Sequence, residues 1–328
     1  MAEITPFGTT ATGHPVDKII LSNAQLRMGV LTYGAILQSL RLTGVAYDLT
    51  LGSDKIADYE GEMMYYGSLI APIVNRFRDA KADLAGQTLQ FQRNFLGKHA
   101  LHSGAVGVQH KVWEIEAATQ DTVQLALTLP DGEGGFPGLR HVTVRFALDG
   151  ATLRMDVTVV SDKATLWNAA NHSYWNLDGT ATYAGHSLRI MADHYLPTDA
   201  DFVPTGEIRA VAGTEMDFRA PRQIGPKAPA LDNNFCLGIG QTALRPALIL
   251  TGASGVELTV STTEAGIQAY DHRHKPIYGV AYAGLAIETQ NWPDAPNHAG
   301  FPDITLHAGQ SLTQTTAWHF AQRKKDGH

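Results

Sequence analysis

The composition of this 328-residue chain is that of a globular protein: 44% of its residues are hydrophobic, 17% are charged, and the formal net charge is −7. The negative charge argues against a general nucleic-acid or anionic-membrane surface, and the single cysteine, Cys236, excludes an intrachain disulfide. The first residues lack the basic and apolar parts of a signal peptide, and no apolar run approaches the roughly 20 residues of a membrane helix. We therefore expect a soluble, cytoplasmic protein.

Strand-like alternation of apolar and polar residues recurs along the chain. After a short predicted helix near Asp54–Glu60, a period of two is clear at 123–129, 142–148, 153–160 and 256–260. Turn residues separate these segments, and the chain has 32 glycines and 15 prolines. The pattern predicts an all-β fold, a large antiparallel β-sandwich with few short helices. Because no linker interrupts it, we expect a single domain over residues 1–328.

The first half of the chain carries polar residues that a sandwich does not need. Asn75 and Arg76 end the apolar run Ser68–Val74, and the planar fork of an arginine suits hydroxyl pairs or carboxylates. His102 lies where a strand meets a turn. Taken singly, a surface arginine and a structural histidine are the commoner interpretations.

The segment Asn168–Gly179 departs most abruptly from the hydrophobic pattern. It contains Asn-His-Ser-Tyr-Trp-Asn at positions 171–176, just after the predicted strand 153–160. Aromatic faces beside hydrogen-bonding groups suit a sugar, and His172 can exchange a proton near neutral pH. The alternative is a strand end with a packed Trp175, asparagine turns and a histidine bonded to the backbone.

The last third of the chain adds further candidates. Asp232–Phe235 is most simply a loop capped by Asx turns, whereas Gln268 and Tyr270 alternate and would share one side of a strand. Asp271–Lys275, with two histidines beside Arg and Lys, is expected to be a solvated loop and not a metal site. Glu288 closes an apolar strand, where desolvation would tune it as a base unless an ion pair or solvent satisfies it.

Together these segments resemble the aldose 1-epimerases (galactose mutarotases). The matching motifs occur in the family's order over nearly the whole chain. They are Asn75-Arg76, Leu101-His102-Ser-Gly, Phe136-Pro-Gly, Asn171-His172-Ser-Tyr-Trp-Asn-Leu, Pro204-Thr-Gly-Glu, Asp217-Phe-Arg, Asp232-Asn-Asn-Phe, Gly266-Ile-Gln-Ala-Tyr and Glu288-Thr-Gln-Asn-Trp-Pro-Asp-Ala-Pro-Asn. The motifs around His172 and Glu288 are the most specific.

The resemblance implies a galactose mutarotase-like sandwich with an open sugar cleft, and an isomerase acting on a free aldose such as galactose or glucose. Glu288 would be the general base that takes the proton of the anomeric hydroxyl, and His172 the general acid that protonates the ring oxygen. No metal or organic cofactor is implied, and the partner is a monosaccharide bound by a monomer or homodimer. The residues implied to bind the sugar are Asn75, Arg76, His102, Tyr174, Asp232 and Gln268.

The chemistry explains why these residue types are needed. Opening a hemiacetal removes one proton from the C1 hydroxyl while another reaches the ring oxygen, and closure on the other face reverses both transfers. We expect mutual attraction to lower the pKa of Glu288 and to raise that of His172. We also expect a bell-shaped pH dependence of turnover, and a loss of most activity in Glu288→Gln and His172→Asn.

Some positions depart from the family pattern. Ser103 replaces a usual glycine, Asn233 replaces a usual histidine, and the segment Phe77–Leu84 is atypical. Trp175 and Trp292 are expected to add bulk near the site. These differences bear on which sugar is preferred and not on the reaction type.

Three other functions fit parts of the sequence. A sugar-binding sandwich without activity would need the arginine, aspartate and aromatics, but not both Glu288 and His172. A hexose 6-phosphate 1-epimerase would need a cationic cluster, for which Arg273 and Lys275 are the candidates. A glycoside hydrolase or lyase is the third alternative, and hydrolysis would need Asp232 close to Glu288 as a second carboxylate.

Overall fold

The computed structural model describes residues 2–274, 277 and 279–323, and β-strands dominate its regular structure. The described residues form 27 strands and one short α-helix, α1 (Ile56–Tyr59), where a helix was predicted. The strands are β1 (Glu3–Thr9), β2 (Pro15–Ser22), β3 (Leu26–Leu31), β4 (Ile36–Leu42), β5 (Leu69–Ile70), β6 (Arg76–Phe77), β7 (Lys81–Leu84), β8 (Gln87–Gln90), β9 (Ala100–Leu101), β10 (Glu114–Ala118), β11 (Thr122–Leu129), β12 (Arg140–Asp149), β13 (Thr152–Ser161), β14 (Thr165–Leu166), β15 (Ala170–Asn171), β16 (Tyr174–Trp175), β17 (Ser187–Ile190), β18 (His194–Tyr195), β19 (Arg209–Ala210), β20 (Arg222–Gln223), β21 (Asp232–Cys236), β22 (Arg245–Thr251), β23 (Val256–Thr262), β24 (Gly266–Tyr270), β25 (Leu285–Gln290), β26 (Thr305–Leu306) and β27 (Ser311–Gln322). Short 3₁₀ turns occur at Arg78–Ala80, Gly104–Val106, Val108–His110, Glu133–Gly135 and Ala295–Asn297.

Three antiparallel sheets make up most of the architecture. A four-stranded sheet has the order β1-β2-β3-β4, and a nine-stranded sheet has the order β10-β11-β12-β13-β27-β23-β22-β17-β20. A six-stranded sheet has the order β16-β25-β24-β21-β18-β19. The predicted strand segments lie in β11, β12, β13 and β23, so the all-β antiparallel prediction is confirmed.

The largest apolar cluster joins the nine-stranded sheet to one face of the six-stranded sheet. Trp175 on β16 packs against Trp318 and Phe320 on β27, with ring centroids 6.1 and 5.6 Å apart. Ile267 on β24 and Ile287 on β25 belong to the same buried cluster. Because side chains alternate along a strand, the residues between these apolar positions point to the opposite face of the six-stranded sheet.

The strand register places several polar residues on the face of the six-stranded sheet that points away from the apolar cluster. Gln268 pairs with Glu288 across β24 and β25, and Asp232 pairs with Tyr270 across β21 and β24. Directly opposed residues share a face, and Gln268 and Tyr270 are two residues apart, so all four lie together. Tyr174 on β16 pairs with the residue two positions before Glu288, which brings it to the same face.

The prediction of a loop at Asp232–Phe235 is wrong. These residues form β21, which is paired with β18 on one side and β24 on the other. Phe235 enters the core beside Phe218, with centroids 6.2 Å apart, and Asn233 donates to the Leu196 carbonyl at 3.1 Å. Ladder bonds on both edges and a buried aromatic outweigh the local turn preference of two consecutive asparagines.

No helix in residues 2–274, 277 and 279–323 is long and apolar enough to span a membrane.

Candidate active site

The polar face of the six-stranded sheet is the floor of an open cleft. Seven of the predicted site residues line it: Asn75, Arg76, His102, His172, Tyr174, Asp232 and Glu288. The eighth, Gln268, lies beside the cleft and donates to Asp232 Oδ1 at 2.8 Å. The fold thus brings together all eight residues that the sequence predicted for the site.

His172 and Glu288 meet at the bottom of the cleft, where both are almost completely buried. The distance from His172 Nε2 to Glu288 Oε1 is 3.6 Å. The backbone of His172 is fixed by its N–H, which donates to the Ser68 carbonyl at 2.9 Å, and by its carbonyl, which accepts from Gly67 N–H at 3.1 Å. Glu288 Oε2 has no hydrogen-bond partner among the described residues. A carboxyl–imidazole pair, in which one buried carboxyl oxygen is unsatisfied, therefore lies at the floor of the cleft.

Burial controls the proton affinities of this pair. It raises the pKa of Glu288 to about 8, an effect to which the charge of Asp232 adds and which that of Arg76 opposes. Burial lowers the pKa of His172 to about 4; a backbone hydrogen bond opposes this shift, and electrostatic interactions with His272 and Arg76 add to it. The expectation that mutual attraction sets these pKa values is wrong in direction, because desolvation of each group outweighs their attraction. Burial therefore favours the neutral carboxyl of Glu288 and the neutral imidazole of His172 over an ion pair.

A charged cluster forms one wall of the cleft. Arg76 Nη2 and Nη1 donate to the two carboxylate oxygens of Asp232 at 3.0 and 3.4 Å, and Gln268 holds the same carboxylate. Asn75 adopts a left-handed φ of 65° and accepts the Arg76 N–H on its own Oδ1 at 2.8 Å. This is a conformation that asparagine tolerates better than most residues. Donors and acceptors are therefore fixed side by side, as pairs of sugar hydroxyls require.

The tautomer of His102 follows from its contact with the backbone. The Asn75 N–H donates to His102 Nδ1 at 3.0 Å, so in the neutral ring the proton is on Nε2. The His102 carbonyl accepts from Gln109 Nε2 at 2.9 Å, and the ring lies 4.7 Å from that of Tyr65. His102 therefore enters the cleft wall as a hydrogen-bond donor.

His102, His172 and Glu288 also lie close enough to be considered as metal ligands, with one ligand atom from each within 4.8 Å of the others. The ring of His102 does not fit this role, because Nδ1 already accepts a backbone hydrogen bond and Nε2 carries the proton. A neutral imidazole in that state has no lone pair left for a cation. The arrangement suits hydroxyl groups better than a metal ion.

Comparisons with known proteins agree with the geometry. A family profile described as Aldose 1-epimerase matches residues 17–319. Human galactose mutarotase is 33% identical over 342 residues, covering 98% of this chain and 99% of that protein, and an aldose 1-epimerase of Haemophilus influenzae is 29% identical over 91% of this chain and 93% of its own length. The chain belongs to the aldose 1-epimerase family. It is therefore an isomerase of the class that interconverts the anomers of an aldose.

Solved structures with aldose 1-epimerase architecture superpose well on the chain. A crystal structure of an aldose epimerase homologue from C. elegans has a TM-score of 0.87 and 29% identity, covering 94% of this chain and 99% of that one. A galactose 1-epimerase from Lactobacillus acidophilus has a TM-score of 0.84 and 27% identity, covering 98% of this chain and 99% of that one. The mutarotase-like sandwich is thus shared along nearly the whole chain.

Two expected differences near the aldose 1-epimerase site are wrong. Trp175 points into the core, because its neighbour Tyr174 occupies the cleft face of the same short strand. Trp292 belongs to another apolar cluster, where its indole N–H donates to the Ala265 carbonyl at 3.0 Å and its ring contacts Phe301. Neither indole lines the cleft.

Ser103 has a structural role beside the site. Its φ is 61°, a conformation that favours glycine, and its hydroxyl bonds to both the N–H and the carbonyl of Ile73, at 2.8 and 3.0 Å. These two bonds account for a serine at a position where the family usually has glycine. The Ser103 side chain therefore joins two backbone segments, and its neighbour His102 lines the cleft.

The expectation of a solvated loop at Asp271–Lys275 is wrong for its first half. Asp271 and His272 are buried, and His272 Nε2 lies 2.8 Å from the Tyr66 hydroxyl. Arg273 donates from Nε to Asp271 at 2.6 Å and does not line the cleft, so it is not placed to bind a sugar phosphate there. Lys275, the other phosphate candidate, lies outside the described residues.

Several cleft residues were not identified from the sequence. Tyr65, Phe95, Phe202 and His274 line the cleft, and Tyr270 was noted only as a neighbour of Gln268 on its strand. Phe95 and Phe202 lie outside the strands and outside the motifs that carry the family resemblance. The only available signal was an aromatic residue in each of two polar, turn-rich segments.

Proposed function

We propose that this enzyme converts α-aldohexoses into their β anomers and back, with galactose or glucose as substrate, Glu288 as the general base and His172 as the general acid. The observation that carries the proposal is the carboxyl–imidazole pair, 3.6 Å apart, at the floor of a cleft lined by hydroxyl-binding groups. The names of the relatives favour galactose among the aldoses.

Binding of the sugar prepares the pair for reaction. The C1 hydroxyl donates to the carboxyl group of Glu288, which lines the cleft, and a hydrogen bond of this kind favours the charged carboxylate. The proton of the pair then moves to His172, and the total number of protons on the pair does not change.

Ring opening then consists of two coupled proton transfers. Glu288 removes the proton of the C1 hydroxyl, and the electron pair of that O–H bond forms the aldehyde C=O. The bond between C1 and the ring oxygen breaks, and its electron pair stays on the ring oxygen, which takes the proton of His172. General acid and base catalysis of this kind contributes roughly 10²- to 10⁴-fold for each group.

Ring closure uses the same residues in reverse. After opening, Glu288 is protonated and His172 is neutral, which is also the protonation state that burial favours in the free enzyme. Rotation about the C1–C2 bond presents the other face of the aldehyde. The C5 hydroxyl returns its proton to His172 as it attacks C1, and the carbonyl oxygen takes the proton of Glu288.

The remaining cleft residues keep the sugar in place while its C1 end rotates. Arg76, Asp232 and Gln268 form one bonded cluster, and we propose that it binds ring hydroxyls remote from C1. His102 donates from Nε2, and Asn75 and Tyr174 complete the walls. Anchoring the unreactive end lowers the entropic cost of aligning the reacting atoms.

Polarimetry with freshly dissolved α-D-galactose and α-D-glucose tests this proposal. The enzyme is expected to shorten the approach to the equilibrium rotation, with the Glu288→Gln variant at the same concentration as the control. Galactose 6-phosphate and glucose 6-phosphate are expected to be poorer substrates, because Arg273 is bound to Asp271 away from the cleft. A protein that binds either sugar and leaves the spontaneous rate unchanged would be a lectin and would contradict the proposal.

We also propose a cytoplasmic enzyme that folds as one domain and works as a monomer or homodimer. The single cysteine and the net charge of −7 support the compartment, and the evenly distributed strand pattern supports one domain. Cell fractionation and light scattering coupled to size-exclusion chromatography test these points.

A further inference from the structure

The guanidinium of Arg76 lies close to two phenyl rings that line the cleft. Its Cζ atom is 4.9 Å from the ring centroid of Phe95 and 5.5 Å from that of Phe202. Other arginines in the described part of the chain have at most one aromatic ring at such a distance. Both rings line the cleft, although neither belongs to a motif that suggested the function.

The segment that carries Phe202 is held rigidly. Phe202 has a left-handed φ of 61°, which a phenylalanine adopts only when its surroundings impose it. Asp199 imposes this turn by accepting the N–H groups of Asp201 and Val203 at 2.9 and 3.1 Å, and Arg78 holds Asp199 at 2.8 Å. The exposed phenyl ring therefore has a fixed backbone beneath it.

The segment that carries Phe95 is tied to the first one. The ring of His99 is buried and lies 3.1 Å from Asp201, while its Nδ1 accepts the Asp79 N–H at 3.0 Å. Lys98 adds an ion pair to the same Asp201 carboxylate at 3.1 Å. These bonds set the spacing between the two phenyl rings before any ligand binds.

The hydrogen bonds of Arg76 do not by themselves fix the orientation of its guanidinium plane. Its two Nη atoms bond to Asp232, whereas its buried Nε has no hydrogen-bond partner among the described residues. One carboxylate fixes one edge of the planar fork and does not prevent the fork from tilting. Two aromatic rings within about 6 Å of the guanidinium carbon limit that tilt and favour the positive charge.

We infer that Phe95 and Phe202 are positioning residues that hold the Arg76 fork in the plane needed to bind sugar hydroxyls. This inference rests on the proposed function, since it assigns the two rings to the substrate-binding step of the same site. They act on the sugar through Arg76. Their loss weakens substrate binding and leaves the proton transfers at His172 and Glu288 unchanged.

Substitution of one ring tests the inference. Phe202→Leu keeps an apolar side chain at an exposed position but removes the aromatic face. It is expected to raise KM for α-D-galactose about 2- to 10-fold and to leave kcat within about 2-fold, from the strength of a cation–π contact. Phe202→Tyr keeps the face and is expected to retain the wild-type KM. Phe95→Leu and Phe95→Tyr repeat the comparison on the other ring.

Leu96, which follows Phe95 in the sequence, provides a matched control. Leu96 is 62% exposed and does not line the cleft, so Leu96→Ala removes a neighbouring apolar side chain without touching Arg76. It is expected to leave KM unchanged. An equal rise of KM in Leu96→Ala would attribute the effect to the loop as a whole and overturn the inference.

A double-mutant cycle separates action through Arg76 from direct contact with the sugar. Methionine has neither a positive charge nor a plane to stack, so in an Arg76→Met background the effect of Phe202→Leu is expected to fall close to none. If the full KM effect persists in that background, the rings contact the sugar directly and the inference is wrong. It is also wrong if Phe202→Leu lowers kcat together with the unfolding temperature, or if neither Leu variant changes KM. A wild-type enzyme that fails to accelerate mutarotation would instead refute the proposed function.

Discussion

Replacing Glu288 by glutamine is expected to change how stability depends on pH. The side chain is 2% exposed, and burial raises its pKa from 4.5 to about 8. A separation of roughly 3.5 pKa units corresponds to about 5 kcal/mol, at about 1.4 kcal/mol per unit. Glutamine has nearly the same shape and no ionisable proton, so this pH-dependent contribution is absent in the variant.

The direction of this pH dependence follows from the number of protons that the folded and unfolded proteins bind. Between pH 4.5 and pH 8 the folded protein keeps the Glu288 proton while the unfolded chain has lost its own. The stability contributed by the neutral carboxyl is therefore complete below pH 4.5 and is lost as the pH rises through about 8. Burial of His172 has the opposite effect between about pH 4 and pH 6.5, but both proteins contain that histidine and its contribution cancels in the comparison.

Urea unfolding of wild type and Glu288→Gln at half-unit steps from pH 4.5 to pH 8.5 measures this difference. The variant is expected to gain stability relative to wild type by about 5 kcal/mol across that range, with most of the change complete at pH 8. Glu114→Gln, at an exposed strand position, controls for the loss of a carboxylate without burial. A constant difference between wild type and Glu288→Gln at all pH values would show that Glu288 is ionised in the folded protein near neutrality, and would refute this account of the pair.

Three further outcomes are expected. Because the working pair holds one proton, kcat/KM for α-D-galactose should follow a bell-shaped pH profile. It should decline toward pH 4, where His172 gains a proton, and above about pH 8, where Glu288 loses its own. A flat profile from pH 4 to pH 9 would contradict this expectation. Arg76→Lys should raise KM about 10-fold with a smaller change in kcat, because an ammonium cannot bond both oxygens of the Asp232 carboxylate in a fixed plane. Steady-state polarimetry measures both constants. An unchanged KM would count against the proposed role of Arg76 in anchoring the sugar. Trp175→Phe should lower the free energy of unfolding by about 1–3 kcal/mol and leave kcat/KM unchanged, because the indole lies in the core; a loss of activity at unchanged stability would place it functionally in the site.

The motifs identified eight candidate site residues from the sequence, and the fold brings these residues together at one cleft. The alternation of Val, Leu and polar residues at 142–148 and 153–160 was sufficient to predict strands, since a half-buried sheet imposes a period of two. The all-β class follows from these repeated patterns. Neither observation says how the strands pair.

Register is what sequence reasoning could not supply. It places Gln268 opposite Glu288 and Asp232 opposite Tyr270, and it turns Trp175 away from the cleft that Tyr174 enters. Local turn preference likewise failed at β21, because pairing on both of its edges is a long-range effect. These errors share one cause: the deciding contacts are made by residues far apart along the chain.

The pKa directions of His172 and Glu288 were wrong for a related reason. Attraction between a carboxylate and an imidazolium can be argued from two residues alone, whereas burial depends on everything packed around them. The pair of rings at Phe95 and Phe202 was missed because loops that lie far apart in sequence converge on Arg76 only in the folded chain.

The most direct test of the whole account is the initial rate of mutarotation of α-D-galactose by Glu288→Gln and His172→Asn, each compared with wild type at equal concentration of folded protein. The account predicts a fall of at least about 10²-fold in each variant, because each removes one of the two groups that exchange protons with the hemiacetal. Circular dichroism of each variant is the control for correct folding. A rate near that of wild type in either folded variant would contradict the assignment of this pair as acid and base.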